Sequence, residues 1–410
     1  MITRRVFLRN GALGAVGTAA IPLFLQRAVF ASPDPGTRSK RLVVIFQRGA
    51  ADGLNIVVPH GESAYYALRP TISIPRNAVI DLDGFFGLHP SLAPLQTIWN
   101  HKHLAIVHAA GSPDPTRSHF DAQDFMESGT PGVKATEDGW LNRSLHTISP
   151  SDSPFRAVAM GPSLPRILSG PEAAVAINNI NDFGVGGRNA KASPIENSFE
   201  AMYAGSVDTV LHGSAEETFD AVKMLKSANP EQYTPASGVT YPRGRFGESL
   251  KQLAQLIKAN LGVQVAFADI GGWDHHVNEG STEGQIANVL RDFGQSLASF
   301  WMDLGELAED TVVVTMSEFG RTVHENGNRG TDHGHANVMF VLGGPVRGGR
   351  VYGRWPGLNS PQLYEARDLA VTTDFRTVLA ELVQRQLHGS DMNTVFPGFK
   401  DRGSFLGLIA

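Results

Sequence analysis

The sequence predicts an α/β fold, a largely parallel sheet wrapped by helices, and three observations predict it. Short, continuous runs of β-branched and other apolar residues recur along the chain, as in strands buried on both faces. Longer segments between them keep apolar residues at the helical period. Polar, glycine-rich and titratable clusters adjoin the runs, at the edge where such sheets bind their ligands.

The elements follow in order. Leu42–Phe46 is the first strand. A helix over Ser91–Asn100 leads into a strand at Leu104–Val107. A helix with Phe246, Leu250, Leu253, Leu256 and Ile257 on one face precedes a strand at Val263–Ala268. Ile286, Val289, Leu290, Phe293, Leu297, Phe300, Trp301 and Leu304 then form one stripe of a long helix. Thr311–Thr315 and Val338–Leu342 are two more buried strands. The last helix runs from about Thr373 to His388, with Phe375, Val378, Leu379, Leu382 and Val383 inward and Gly389 placed to cap it. Residues 150–240 are less periodic and richer in Gly, Pro, Ser and Asn, which predicts an insertion or lid within a single domain spanning 41–410.

Composition narrows the function. The 410 residues, 42% hydrophobic and 18% charged, can bury a full core. A formal charge of −5 argues against a nucleic-acid binder, which shows a basic face. With no cysteine, disulfides, Fe–S clusters, thiolate zinc sites and a cysteine nucleophile are excluded, so any metal must be held by His and carboxylates.

The first 31 residues read as an address. Arg4-Arg5, with Phe7-Leu8 following, precedes an apolar Gly/Ala-rich run from Gly11 to Leu25 and a small residue, Ala31, at the expected cut. The pattern resembles the twin-arginine export signal, which implies the Tat export machinery as a partner and a periplasmic or secreted product. Pro22 interrupts the run, which is too short for a spanning helix, so the cleaved protein is expected not to be an integral membrane protein. Residues 32–40 are polar and proline-containing, a linker.

The clusters beside the strands carry the chemistry. They are Gln47–Gly53, His108 with Pro113–Asp121, Asp269–His276, Ser317–Thr322, and Thr331–Asn337 just before its strand. Asp274, His275, His276, Asp332, His333 and His335 together supply four imidazoles and two carboxylates, donors suited to zinc or manganese.

The order of Asp52-Gly53-Leu54-Asn55, Arg117-Ser118-His119-Phe120, Gly271-Gly272-Trp273-Asp274, Ser317-Glu318-Phe319-Gly320-Arg321-Thr322 and Asp332-His333-Gly334-His335, behind a twin-arginine leader, resembles the exported bacterial family called domain of unknown function 1501. More broadly it resembles the alkaline phosphatase/sulfatase/phosphoglycerate-mutase superfamily. The resemblance implies an alkaline-phosphatase-like three-layer sandwich and divalent metal (zinc, manganese or calcium). It places one ion on Asp274 with His275 or His276 and with His333, His335 being the alternative. It places a second on Asp52 and Glu318, and a nucleophile on Ser118, or Thr116, at a helix start. Two departures stand out: Phe319 replaces a ligand, and Arg48 stands where the superfamily has Asp.

The expected function is hydrolysis of a phosphate, sulfate or related ester, with Arg117 or Arg321 holding the anionic oxygens. The alternatives are a non-catalytic periplasmic binding or scaffold protein, whose partner is a cell-envelope ligand, and a phosphomutase-like isomerase.

Overall fold

In the computed structural model, residues 39–151, 153–180, 224–225, 233–400 and 405–410 are described. The leader, nearly all of the linker and most of the 150–240 segment lie outside the described residues.

A nine-stranded sheet organises the chain. Its strands are β1 (Arg41–Gln47), β2 (Leu104–Gly111), β3 (Ala157–Met160), β4 (Val175–Ile177), β5 (Val265–Ile270), β6 (Thr311–Met316), β7 (Asn337–Gly343), β8 (Arg350–Tyr352) and β9 (Thr373–Asp374). They run in the order β8-β2-β7-β6-β1-β5-β3-β4, with β9 also paired to β2. All pairings are parallel except those of β7, which runs against both β2 and β6. Every residue of β1, β2, β6 and β7 is buried, because helices cover both faces.

The helices that cover them are α1 (His119–Ser128), α2 (Trp140–Thr147), α3 (Arg245–Lys258), α4 (Gln285–Leu304) and α5 (Phe375–Arg385). Alternation along the strands builds two cores. Val43, Ile45, Ala266, Ala268, Val313 and Phe340 pack with Leu250, Leu253, Leu290 and Phe293 of α3 and α4. Leu42, Val44, Val265, Phe267, Val314 and Val341 pack with Leu141, Leu145, Val378 and Leu382 of α2 and α5. The result is the three-layer α/β sandwich.

Details differ from the sequence reading. The third predicted strand begins at Val265, not Val263, because Leu261 and Val263 are buried ahead of the sheet without pairing in it. Within 150–240, Ala157–Met160 and Val175–Ile177 extend the main sheet beyond β5, with Val175–Ile177 at its edge. Thr373 and Asp374 belong to a strand, and Asp374 caps α5 by accepting from Arg376 N. Past α5 the left-handed residue is His388 (φ 59°), while the Gly389 amide bonds to Val383 O at 2.9 Å.

The reversed β7 explains why one titratable cluster precedes its strand. Its start lies beside the carboxyl ends of β2 and β6, so Thr331–Ala336 reaches the same edge as the loops after β1, β2, β5 and β6. Among the described residues no helix is long and apolar enough to cross a membrane.

Candidate metal centre

Two backbone segments meet at this edge. Gly320 N donates to His335 O at 2.8 Å, Gly334 N to Gly320 O at 2.8 Å and Thr322 N to Asp332 O at 2.9 Å. The approach needs glycine at both positions: a Cβ on Gly320 would strike Ala336 O, and one on Gly334 would strike the Arg321 carbonyl group. Arg321 fixes a third segment. Its buried guanidinium donates to Ala50 O (2.6 Å), Gly49 O (2.5 Å), Thr331 O (3.1 Å), Trp273 O (3.2 Å) and Asp274 Oδ1 (2.5 Å).

The donors converge on this scaffold. Donor atoms of His119, Asp274 and His333 all lie within 4.8 Å of one another. His119 Nε2 and His333 Nε2 are 3.0 Å apart. His276 Nε2 lies 3.0 Å from His333 Nε2 and 3.0 Å from Asp274 Oδ1.

Each imidazole has an oxygen acceptor at its other nitrogen. His119 Nδ1 meets Glu318 Oε1 at 2.8 Å, His276 Nδ1 meets Asp332 Oδ1 at 3.0 Å, and His333 Nδ1 meets Arg117 O at 2.8 Å. In the neutral rings those acceptors hold the proton on Nδ1 and leave three Nε2 lone pairs facing one another and a carboxylate. Such a set is repulsive until a cation sits among the donors. Metal-ligating histidines are oriented in this way, by a carboxylate or carbonyl on the far nitrogen. Three nitrogens with one carboxylate suit zinc or manganese better than calcium, which takes oxygen.

Charge state follows the same pattern. The His119 imidazole is held above the usual histidine range, chiefly by its bond to Glu318. Burial pushes His333 down. Burial alone would favour protonated Asp274 and Glu318. The Arg321 bond keeps Asp274 below the usual carboxylate range, and bonds from His119, Gln123 and the Gly49 amide do the same for Glu318.

The family model described as "Protein of unknown function (DUF1501)" matches residues 39–396. The chain belongs to this family. A comparison of the DUF1501 chain with curated proteins finds no match. Among solved structures it is similar to the PsFucS1 sulfatase from Pseudoalteromonas sp., at 13% identity over 95% of this chain and 77% of that one (TM-score 0.42). It is also similar to the C-terminal periplasmic domain of EcEptC from Escherichia coli, at 13% identity over 89% and 88% (TM-score 0.39). A third is the phosphonate monoester hydrolase of Agrobacterium radiobacter, at 11% identity over 88% and 78% (TM-score 0.34).

The metal ligands expected in this DUF1501 sequence divide into four groups. Asp274, His276 and His333 come together. Glu318 and Asp332 lie one step out, each binding the far nitrogen of an imidazole. Glu318 is engaged away from Asp52: Oε1 accepts from Gly49 N, Gln123 Nε2 and His119, and Oε2 lies 3.0 Å from Ser317 Oγ. Asp52 is buried elsewhere, bound by both Nη atoms of Arg69. His275 and His335 are buried away from the donors, His335 bonding to Ser112 O at 3.0 Å.

Both arginines expected to hold an anion bind groups of the protein itself. Arg117 donates through Nη2 to Glu365 (2.7 Å) and Asp368 (2.6 Å), and Arg321 holds the scaffold described above. Arg48, the departure after β1, pairs with Asp269 (2.8 Å) and Glu127 (2.9 Å). Ser118 stands at a helix start, as N-cap of α1, its Oγ accepting from Asp121 N at 3.5 Å.

His119 is the donor that sequence reasoning missed. The signal was Phe319: a phenyl ring where the resemblance expects a ligand leaves a donor to be supplied from another segment. The Phe319 ring lies 5.0 Å from both the His119 and the His333 rings, a floor beneath them.

Proposed function

We propose that this protein is an exported, metal-dependent hydrolase of a phosphate, sulfate or related ester. The observation that carries the reading is the convergence of three Nε2 lone pairs and the Asp274 carboxylate at the carboxyl edge of the sheet, with every Nδ1 proton held by oxygen. His119, Asp274, His333 and His276 would hold one divalent ion, zinc or manganese. Bound there, such an ion polarises an ester oxygen and makes a nearby hydroxyl more acidic.

The chain's own groups supply the rest. Ser118, one residue before His119, is the hydroxyl nucleophile of this reading, at the N-terminus of a ten-residue helix whose free amides favour negative charge. Glu318 and Asp332 keep two imidazoles in the tautomer that presents Nε2. Arg321 holds Asp274 ionised and fixed. The side chains of Asp274 and Asp332 are about half exposed, which leaves the centre open to a substrate from solvent.

One observation favours a second reading, a binding protein. His276 makes a fourth donor, and four protein ligands close a tetrahedral shell, as in structural metal sites. The two readings part in one experiment: elemental analysis of protein purified without chelator, with turnover of p-nitrophenyl phosphate, bis(p-nitrophenyl) phosphate and p-nitrophenyl sulfate. The hydrolase reading expects near-stoichiometric metal that Asp274→Ala loses and Ser118→Ala keeps, with turnover lost in both. Stoichiometric metal with no turnover of any ester leaves the binding reading, and a folded, metal-free protein overturns both. Export by the twin-arginine leader is tested by Arg4→Lys/Arg5→Lys, which should retain the precursor in the cytoplasm.

A further inference from the structure

Arg48, the departure after β1, has no part in the proposed reaction, yet its guanidinium is engaged on every nitrogen. Nε donates to Asp269 at 2.8 Å, Nη2 lies 2.9 Å from Glu127 Oε1, and Nη1 donates to Gln123 Oε1 at 2.9 Å. Two of these partners belong to α1. His119, Gln123 and Glu127 stand four residues apart on that helix, so they line one of its faces, a turn apart. Arg48 holds the second and third members of this row, and the first is a donor of the candidate centre.

The contacts run on to that donor. Gln123 Nε2 donates to Glu318 Oε1 at 3.0 Å, and the same oxygen meets His119 Nδ1 at 2.8 Å. The Gly49 amide, next to Arg48 in the loop after β1, donates to it as well, at 2.8 Å. A guanidinium has only donors, so the end of the Gln123 amide that meets Arg48 has to be the oxygen, which turns its NH2 group to Glu318. The terminal torsion of a glutamate is broad and soft, and a single imidazole contact would leave it so. Donors from α1 and from the loop after β1, on the oxygen that His119 uses, fix it.

We propose that Gln123 is a positioning residue of the centre: its amide, oriented by Arg48, fixes the Glu318 oxygen that holds the His119 proton on Nδ1, and thereby keeps His119 Nε2 among the metal donors. The inference rests on the metal reading of the centre and adds to it the groups that hold Glu318.

Arg48 is a poor place to test this, because its loss leaves the buried Glu127 without its cation. Substitutions at Gln123 separate the two ends of its amide. Gln123→Glu keeps an oxygen for Arg48 and removes the donor to Glu318; Gln123→Lys keeps a donor for Glu318 and removes the acceptor for Arg48. Zinc affinity of the full chain is read by competition with a chromophoric chelator, and urea unfolding with chelator in excess checks that each variant is folded. Gln123→Glu should bind zinc about tenfold more weakly than the wild type, and Gln123→Lys within about twofold of it. Gln123→Met, which has neither group, should lose as much as Gln123→Glu, and it decides the matter if the added carboxylate prevents folding. Wild-type affinity in Gln123→Glu or Gln123→Met, or a loss in Gln123→Lys as large as theirs, overturns the positioning role and leaves Gln123 a structural tie between α1 and Arg48. A wild type that takes up no zinc overturns the metal reading, and the positioning role with it.

Discussion

His119 and His333 face each other Nε2 to Nε2 at 3.0 Å, although 214 positions separate them in the chain. One comes from the start of α1 and the other from the loop before β7. Each has its far nitrogen tied to an oxygen of yet another segment, Glu318 for His119 and the Arg117 carbonyl for His333. The candidate centre is thus held by partners outside the donor set, and its geometry depends on them.

Glu318→Gln should therefore weaken metal binding while leaving the fold. The amide keeps the shape but removes the charge that draws the His119 proton to Nδ1. Loss of such a partner costs roughly 10- to 100-fold in metal affinity. Zinc competition against a chromophoric chelator measures it, and an unchanged affinity would show that Glu318 does not orient His119.

Arg321→Lys should destabilise the protein strongly rather than only weaken substrate binding. The guanidinium bridges four carbonyls and Asp274, and a lysine reaches them with one nitrogen. Lysine keeps the charge but leaves buried carbonyls without donors, at about 1–3 kcal/mol each. Urea unfolding reads this directly; a midpoint near that of the wild type would return Arg321 to the role of a substrate-binding group.

Legibility in the sequence followed the range of the interaction. β1, β6 and β7 are runs of apolar, largely β-branched residues buried on both faces, so composition alone marks them. β3 and β4 are short strands added beyond β5, β3 on β5 and β4 on β3, and their pairing is set by the sheet already present. Asp274, His276 and His333 were legible because their neighbours in sequence are also donors. Asp52 was not, because an Asp after a strand reads the same whether it faces a site or meets Arg69 from a distant turn. His119 depends on where α1 lands, which a sequence motif does not encode.

The Asp52–Arg69 pair shares its pocket with Glu279, whose carboxylate accepts from Thr331 Oγ1 (2.9 Å) and Asn55 Nδ2 (3.3 Å). Burial, followed by the Asp52 charge, pushes Glu279 well above the usual carboxylate range. Glu279 then keeps its proton where the unfolded chain has lost it, so its contribution is complete below pH 4.5 and declines as pH rises towards the folded titration. Glu279→Gln mimics the protonated form. It should hold or raise stability at pH 8, whereas Glu279→Ala, which leaves Thr331 Oγ1 without its acceptor, should lose about 1–3 kcal/mol. Unfolding midpoints of both variants at pH 5 and pH 8 test this, and a Gln variant as damaged as the Ala variant would show that Glu279 is ionised.

Acid should destabilise the protein through a histidine outside the centre. His108 on β2 is buried against Phe86 and Trp355, with Nε2 donating to Val57 O at 3.0 Å and Nδ1 accepting from the Ala109 amide. Both nitrogens are satisfied only in the neutral ring, because a proton on Nδ1 would face an N–H. Burial pushes His108 down to about 4 from 6.5. Between those values the unfolded chain binds a proton that the native protein refuses, so stability is complete above pH 6.5 and falls as pH drops towards 4. At about 1.4 kcal/mol per pH unit, the loss over that window is about 3 kcal/mol. His108→Gln keeps a donor for Val57 O but does not titrate, so its stability should fall less steeply through the same window even though it starts lower. Urea unfolding from pH 7 to pH 4, with chelator present in both samples to remove any contribution from metal, gives the two slopes. Equal slopes would place the acid sensitivity in the other histidines.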